Sequence, residues 1–217
     1  MLKVLDRENS ILNRYISELR DCTIQQDRVR FRMNLERIGR IMAYEISKTM
    51  NYHPEIVESP LGQTSVMLPD NQIVLATILR SGLPFHAGFL EMFDQADNSF
   101  ISAYRKYHKD GSYTIEMDYI SSCSLEGKTL IIIDPLLATG ASSVNAYEAL
   151  TREAGTPKEV HFASIIATPT GIDHIVKHLA SRKVTVWTAA LDQELTARSY
   201  IVPGIGDVGD LSFGKKI

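Results

Sequence analysis

Residues Thr129, Leu130, Ile131, Ile132 and Ile133 run apolar without interruption, and Asp134 ends the run. A half-buried strand would alternate apolar and polar residues. An unbroken run of this length reads instead as a central strand covered on both faces. Around it, short apolar runs alternate with amphipathic stretches. Strands are expected at 72–79, 100–107, 113–120, 128–133, 160–166 and 184–188, with helices at 84–95, 143–153 and 171–181. That alternation predicts an α/β fold, a mostly parallel central sheet flanked by helices. Ahead of it, 6–20 and 25–50 read as helices, the second with Leu35, Ile38, Met42 and Ile46 at helical spacing. The stretch 51–68, with Pro54, Pro60 and Gly62, reads as mostly connection. The tail from Tyr200 holds too few apolar residues for a core element, so it is a terminal loop or part of a site.

The balance of 23 basic against 26 acidic residues gives a formal net charge of -3. Nucleic-acid binders need a basic excess to neutralise phosphates, so no nucleic-acid partner is expected. Arg28, Arg30, Arg32, Arg37 and Arg40 fit the polar face of a helix better than a binding stripe. Cys22 and Cys123 lie far apart and suggest neither a disulfide framework nor a metal-ligand pair. The start MLKVLDRENS lacks an apolar targeting segment, and no run approaches the length of a membrane span. The expectation is a cytoplasmic protein of one domain, 1–217, with no membrane association.

The chemistry concentrates in a few segments. After the Ile-rich strand come Asp134, Pro135, Leu136, Leu137, Ala138, Thr139, Gly140, Ala141 and Ser142, a short loop of mostly small residues leading into a helix. Ligands of open α/β sheets sit outside the carboxyl ends of the strands. Asp134 can there accept bonds from sugar hydroxyls. Gly140 and Ala141 let the backbone approach a ligand, while Thr139, Ser142 and the helix N-terminus form an anion pocket. No GxxxxGK[ST] string occurs, so a Walker-type site is not supported.

A second segment, Tyr200 to Asp210, contains Gly204, Gly206 and Gly209 in a formal GxGxxG. A dinucleotide fingerprint needs a following helix and a distal acid, and too little chain remains here. A third, Ile78-Leu79-Arg80-Ser81-Gly82, ends a strand in a cation and a turn, where a guanidinium fork and exposed amides suit a pyrophosphate. His174 and His178 stand at i and i+4, but without a third ligand nearby they read as a solvated helix face.

Taken together, these strings resemble the uracil phosphoribosyltransferase family. Asp134 to Ser142 is similar to the signature that holds 5-phosphoribosyl 1-pyrophosphate (PRPP), with Pro135 in the place where other branches carry a second acid. The resemblance runs from about Arg28 to Gly214. It implies a type I phosphoribosyltransferase-like fold with a small hood from the N- and C-terminal segments, a flexible β-arm at 98–122 and a uracil-binding loop at 199–214. It implies that Ala138 to Ser142 bind the 5-phosphate and Asp134 the ribose. Arg80, Ser81 and Gly82, with Arg105 on the arm, would contact pyrophosphate. Tyr200, Ile201, Gly206, Asp207 and Val208 would read uracil, with Asp207 also near the ribose and pyrophosphate. Asp207, Arg105 and Asp134 are the expected catalytic residues. Mg2+ is the implied cofactor, held through PRPP with no direct protein ligand, and a homodimer or higher oligomer is implied. GTP activation stays open, as do a transferase for another base and an RNA-binding regulator of the same fold. The chain departs from the family pattern in Lys106, Tyr107, His108 and Lys109 after Arg105, and in Leu211 and Ser212 after Asp210.

Overall fold

Strands and helices alternate as the pattern requires. The computed structural model describes residues 1–69, 72–107 and 113–216, with 103–107 and 113–117 as backbone. The chain runs β1 (Leu2–Val4), α1 (Ile11–Arg20), α2 (Arg28–Ser47), β2 (Tyr52–Ser59), β3 (Gly62–Pro69), β4 (Ile73–Leu79), α3 (Leu83–Met92), β5 (Asp97–Tyr107) and β6 (Tyr113–Ser121). It continues with β7 (Thr129–Ile133), β8 (Leu136–Leu137), α4 (Ala141–Ala154), β9 (Glu159–Ala167), α5 (Pro169–His178), β10 (Val184–Leu191), β11 (Glu194–Leu195), β12 (Ile201–Val202) and α6 (Val208–Phe213).

Among the described residues the main sheet has the order β1-β10-β9-β7-β4-β5-β6, with β8 beside β9. All its pairings are parallel except β5 with β6. β7 lies between β4 and β9, with Ile131 opposite Leu75 on one side and His161 on the other. Its side chains alternate between two cores, as strand geometry demands. Ile131 and Ile133 join Leu35, Ile38, Met42 and Phe85 from α2 and α3. Leu130 and Ile132 join Val144, Tyr147 and Leu150 of α4 and Ile172 and Ile175 of α5. Each of these β7 residues is at most 1% exposed, which is why the strand is apolar after Thr129, whose buried hydroxyl donates to Glu159.

Helix starts follow their caps. Ser10 accepts from the Leu12 amide, so α1 begins several residues later than the apolar pattern alone suggests. Asp27 accepts from Val29 and Arg30 and sets the start of α2. Among the described residues, no helix is long and apolar enough to cross a membrane.

Two expectations are corrected. The stretch read as connection is the antiparallel hairpin β2–β3, with Pro54 opposite Met67 and Ser59 opposite Gly62. Proline is tolerated there because β2 keeps one edge unpaired, and Gly62 occupies the turn. The tail is not a coreless loop. Ile205 and Val208 are 2% and 1% exposed and belong to the core shared with α2, and 208–213 is helical. Periodicity missed this because isolated apolar residues among glycines carry no repeat. The edge strand β1, parallel to β10, was not anticipated. Within the stretch expected as an arm, β5 and β6 pair antiparallel from Phe100↔Ser121 to Tyr107↔Tyr113. His108 and Lys109 lie outside the described residues, and Lys106 and Tyr107 are described as backbone alone.

Candidate active site

The sheet order reverses at β4 and β7. From β4 the chain crosses outward to β5 on one side, and from β7 it proceeds to β9 and β10 on the other. Such a switch point opens a crevice at the carboxyl edge, the preferred ligand site of open α/β sheets. Arg80, Ser81 and Gly82 leave β4 there, and Asp134 to Ser142 leave β7. Gly82 packs so closely that a Cβ on it would lie 2.7 Å from the Ile78 carbonyl oxygen and 3.1 Å from that of Ile133. Only glycine allows this approach, which brings the Arg80 turn against the residue preceding Asp134.

The loop after β7 is fastened from below. The Pro135 carbonyl accepts from the Ile165 and Ile166 amides at 2.9 and 3.1 Å. Thr168 donates its hydroxyl to the Ala138 carbonyl at 2.6 Å, and its own amide bonds the Leu137 carbonyl at 3.0 Å. Pro135 is buried, and the Leu137 side chain, 2% exposed, belongs to the core, as does much of Leu136. Asp134, Ala138, Thr139, Ala141 and Ser142 remain half-buried along the edge. Gly140 takes φ +79° at the start of α4, a left-handed conformation that side chains resist.

Helix starts around the crevice differ from the rest. Ser10, Asp27, Thr168 and Asp207 close the N-termini of α1, α2, α5 and α6 with side-chain hydrogen bonds. The helices flanking the switch point, α3 and α4, begin at Gly82 and Gly140 with no side-chain cap. A helix N-terminus without a capping side chain offers N–H groups and a positive dipole end to an anion. Thr139 Oγ1 stands 3.5 Å from the Ala141 amide, too long for a cap.

The C-terminal loop closes over the same edge. Arg80 donates through Nη2 to Asp210 Oδ1 at 3.1 Å and to the Gly214 carbonyl at 3.0 Å. Asp207 accepts the Asp210 amide at 2.9 Å, capping α6. Gly209 lies between the two groups, since a Cβ on it would be 3.3 Å from Asp207 Oδ1 and 3.8 Å from Arg80 Nη2. Val208 and Ile205 anchor the loop in the core, Ile201 packs beside them, and Gly206 and Asp207 face outward. Tyr200 is 46% exposed and donates its amide to Thr196 Oγ1. Leu211 packs partly into the core and approaches Gly206.

The expected site residues after β4, after β7 and in the C-terminal loop therefore stand along one edge of the sheet. Arg105 sits on the β5 backbone, and its side chain is outside the described residues. His174 and His178 stack with ring centroids 4.0 Å apart, and His178 Nδ1 meets the His174 carbonyl. The His174 pKa is lowered by burial and by its neighbour. No group of His, Cys, Asp and Glu suited to hold a metal occurs among the described residues.

The α2 arginines do more than line a polar face. Arg30 pairs with Glu18 of α1, Arg32 donates to the Ser212 carbonyl at 2.7 Å, and Arg40 pairs with Glu36 and Glu91. The N-terminal helices are thereby bound to each other, to α3 and to the C-terminal segment. Sequence reasoning did not single out Thr168, which fastens the loop after β7, or the ion pair of Arg20 with Asp192. Asp192 had a usable signal, since it ends the apolar run Trp187-Thr188-Ala189-Ala190-Leu191 as Asp134 ends its own.

This fold and edge define an α/β protein whose sheet switch point is bordered by two helix starts without side-chain caps. The sequence profile described as uracil phosphoribosyltransferase matches residues 7–215. A protein of Porphyromonas gingivalis named uracil phosphoribosyltransferase is 50% identical over 213 residues, covering 98% of both chains. One of the same name from Methanothermobacter thermautotrophicus is 37% identical over 217 residues, covering 99% of this chain and 96% of its own. The solved structure of the AQ2163 protein from Aquifex aeolicus superposes with a TM-score of 0.87 at 26% identity, covering 99% of this chain and 98% of that one. The chain belongs to the uracil phosphoribosyltransferase family.

Proposed function

We infer that the protein transfers the 5-phosphoribosyl group of PRPP to uracil, releasing pyrophosphate and forming UMP, a pyrimidine salvage reaction. The observation that carries this reading is the pair of uncapped helix starts, Gly82 and Gly140, on either side of the β4/β7 crevice. A donor with phosphate groups at both ends of a ribose needs two anion sites separated by a sugar-sized gap. The Gly140 start with Thr139, Ala141 and Ser142 suits the 5-phosphate, and the Arg80–Gly82 turn suits the pyrophosphate. Asp134, between them, suits the ribose hydroxyls.

In the reaction, the bond from the anomeric carbon to pyrophosphate breaks, a uracil ring nitrogen bonds that carbon, and the nitrogen loses its proton. Positive charge gathers on the ribose as the leaving group departs. No nucleophilic side chain is required. The residues act by fixing the reactants in line and by stabilising the departing charge, terms large enough to supply most of an enzymatic acceleration. Asp134 and Asp207 carry negative charge toward the developing cation, and Arg80 carries positive charge toward the pyrophosphate. Arg105 would add a second cation from the arm. Tyr200, Ile201 and Gly206–Val208 form the base slot, where main-chain donors and acceptors match the uracil edge. Cytosine would leave one of them unpaired.

Oxygen donors at the mouth, the carboxylates of Asp134 and Asp207 and the hydroxyls of Thr139 and Ser142, are of the hard kind Mg2+ prefers. They fit an ion that arrives on the phosphates. When bound, it would neutralise pyrophosphate charge. On this reading the enzyme is cytoplasmic, residues 1–217 act as one unit, and the assembly is a homodimer or larger. The exposed Ile56, Val66 and Met67 of the β2–β3 hairpin provide apolar surface that a second copy would cover.

The test is UMP formation from uracil, PRPP and Mg2+, with adenine and hypoxanthine as competitors, with and without GTP, alongside the mass of the assembly in solution. UMP as the main product is the expected result. A purine nucleotide as product, or salt-dependent RNA binding without UMP, would overturn the reading.

A further inference from the structure

Arg20 closes the last turn of α1, whose Leu12, Ile16 and Leu19 are buried in the core. Its guanidinium grips Asp192 at both ends, Nη1 to Oδ2 and Nη2 to Oδ1, each at 2.8 Å. Arg20 Nη1 also donates to the Gly204 carbonyl at 3.1 Å, and Asp192 Oδ2 accepts the Gly204 amide at 2.8 Å. Both polar groups of Gly204 are thus satisfied by this one pair. Asp192 itself is pinned, because its amide bonds the Ala167 carbonyl at 3.0 Å.

We propose that Arg20 and Asp192 are positioning residues for the base slot, setting where the Gly206–Val208 main chain stands and so how tightly uracil is held. The proposal rests on the assignment of the C-terminal loop to uracil. Between β12 and α6 the chain has no ladder of its own to hold it, and the Arg20–Asp192 pair takes the place of one. Gly204 is buried, and the outward-facing Gly206 follows closely along the chain. Ile205, held in the core, links the two, so the grip on Gly204 and the seating of Ile205 together set the amides that would meet the base.

Stability is a poor explanation for the pair. Side-chain exposures of 5% for Asp192 and 26% for Arg20 mean both charges lose much hydration, a loss their attraction only partly offsets. Well-packed apolar residues would often serve folding as well. What a bidentate fork with a third bond adds is a fixed orientation.

The test compares wild type with Arg20→Lys and Asp192→Asn by steady-state kinetics in both substrates, with Tm measured alongside. Lysine keeps the charge but cannot hold Asp192 by a fork and reach Gly204 as well. Asparagine keeps an acceptor for the Gly204 amide and loses the charge. The expected result is a rise of about ten-fold in KM for uracil, with KM for PRPP changed less than about two-fold. An unchanged KM for uracil in an active Arg20→Lys enzyme would overturn the proposal. So would KM for both substrates and Tm moving together, which would mark a purely structural role. A wild type that makes no UMP would overturn the function assignment itself, and this inference with it.

Discussion

Arg80 and Asp210, separated by 130 positions in the chain, meet at 3.1 Å across the mouth of the crevice. The contact joins the turn after β4 to α6, which follows the glycine-rich C-terminal loop. It brings together two segments that the sequence keeps far apart. Among the described residues Arg80 Nε is buried without a hydrogen-bond partner, so the guanidinium has a donor not used by Asp210 or Gly214.

Replacing Arg80 by Ala should lower kcat/KM for PRPP by roughly 10²-fold, the usual cost of removing a preorganised donor to developing negative charge. Progress curves at varied PRPP check this. Unaltered kinetics would remove Arg80 from the pyrophosphate site.

Asp207 has two jobs that substitution can separate. Asparagine also caps helices well, so Asp207→Asn should keep the bond to the Asp210 amide and leave Tm within about 1 °C, while kcat falls on the order of 10²-fold. Asp207→Ala should lose the cap as well, at a cost of about 1 kcal/mol. Calorimetry with initial rates distinguishes the two, and an active Asp207→Asn enzyme would exclude a role for the charge.

Gly140→Ala places a methyl group 2.6 Å from the Gly171 carbonyl oxygen and forces a side chain into φ +79°. The left-handed conformation alone costs about 1–2 kcal/mol, a Tm loss on the order of 5 °C for a chain of this size. The α4 start should shift with it. KM for PRPP is expected to rise more than KM for uracil, and equal changes would argue against a phosphate site there.

Acid should weaken the fold through His161. The imidazole is 4% exposed, and its Nδ1 accepts the Trp187 indole N–H at 3.0 Å, which requires the neutral ring. Burial holds its pKa near 4, against 6.5 for the free side chain, despite the opposing pull of Glu159. The unfolded chain therefore binds the proton more readily than the folded one. Stability is complete above pH 6.5, drains as pH falls toward 4, and loses at most about 3 kcal/mol by this route. Tm measured from pH 7 to 4 should decline less steeply in His161→Gln, where no proton is taken up. Parallel declines would show that other groups control the acid limb.

Buried glutamate adds a lower limb. Hydrogen bonds from Arg30 and Asn34 hold the Glu18 pKa near 2, against an ordinary 4.5. That contribution is present above pH 4.5 and is lost as pH falls toward 2. Its loss would loosen α1 from α2.

The sheet was legible because its cause is local. An apolar run in β7, alternation of strand and helix patterns, and the small residues between Asp134 and Ser142 each state their conformation within a few positions. Thr139, Ser142 and the start of the following helix could be read as a candidate anion pocket because a strand-to-helix turn of small residues exposes amides wherever it occurs. The hairpin at 52–69 was misread for the converse reason. Pro54, Pro60 and Gly62 are breakers by local count, yet an isolated ribbon with a free edge has room for them.

Sequence alone marked the segments expected to bear chemistry: the acid-ended strand, the cation before a turn, and the glycine string at Gly204, Gly206 and Gly209. Tertiary structure alone decided that Arg80 meets Asp210, that Arg20 holds Asp192 and Gly204, and that Ile205 and Val208 belong to the core. Backbone preferences arise from neighbours along the chain and can be read there. A contact between residues 130 or 172 positions apart depends on where the parallel crossovers set each strand end down, and only the packed sheet specifies that.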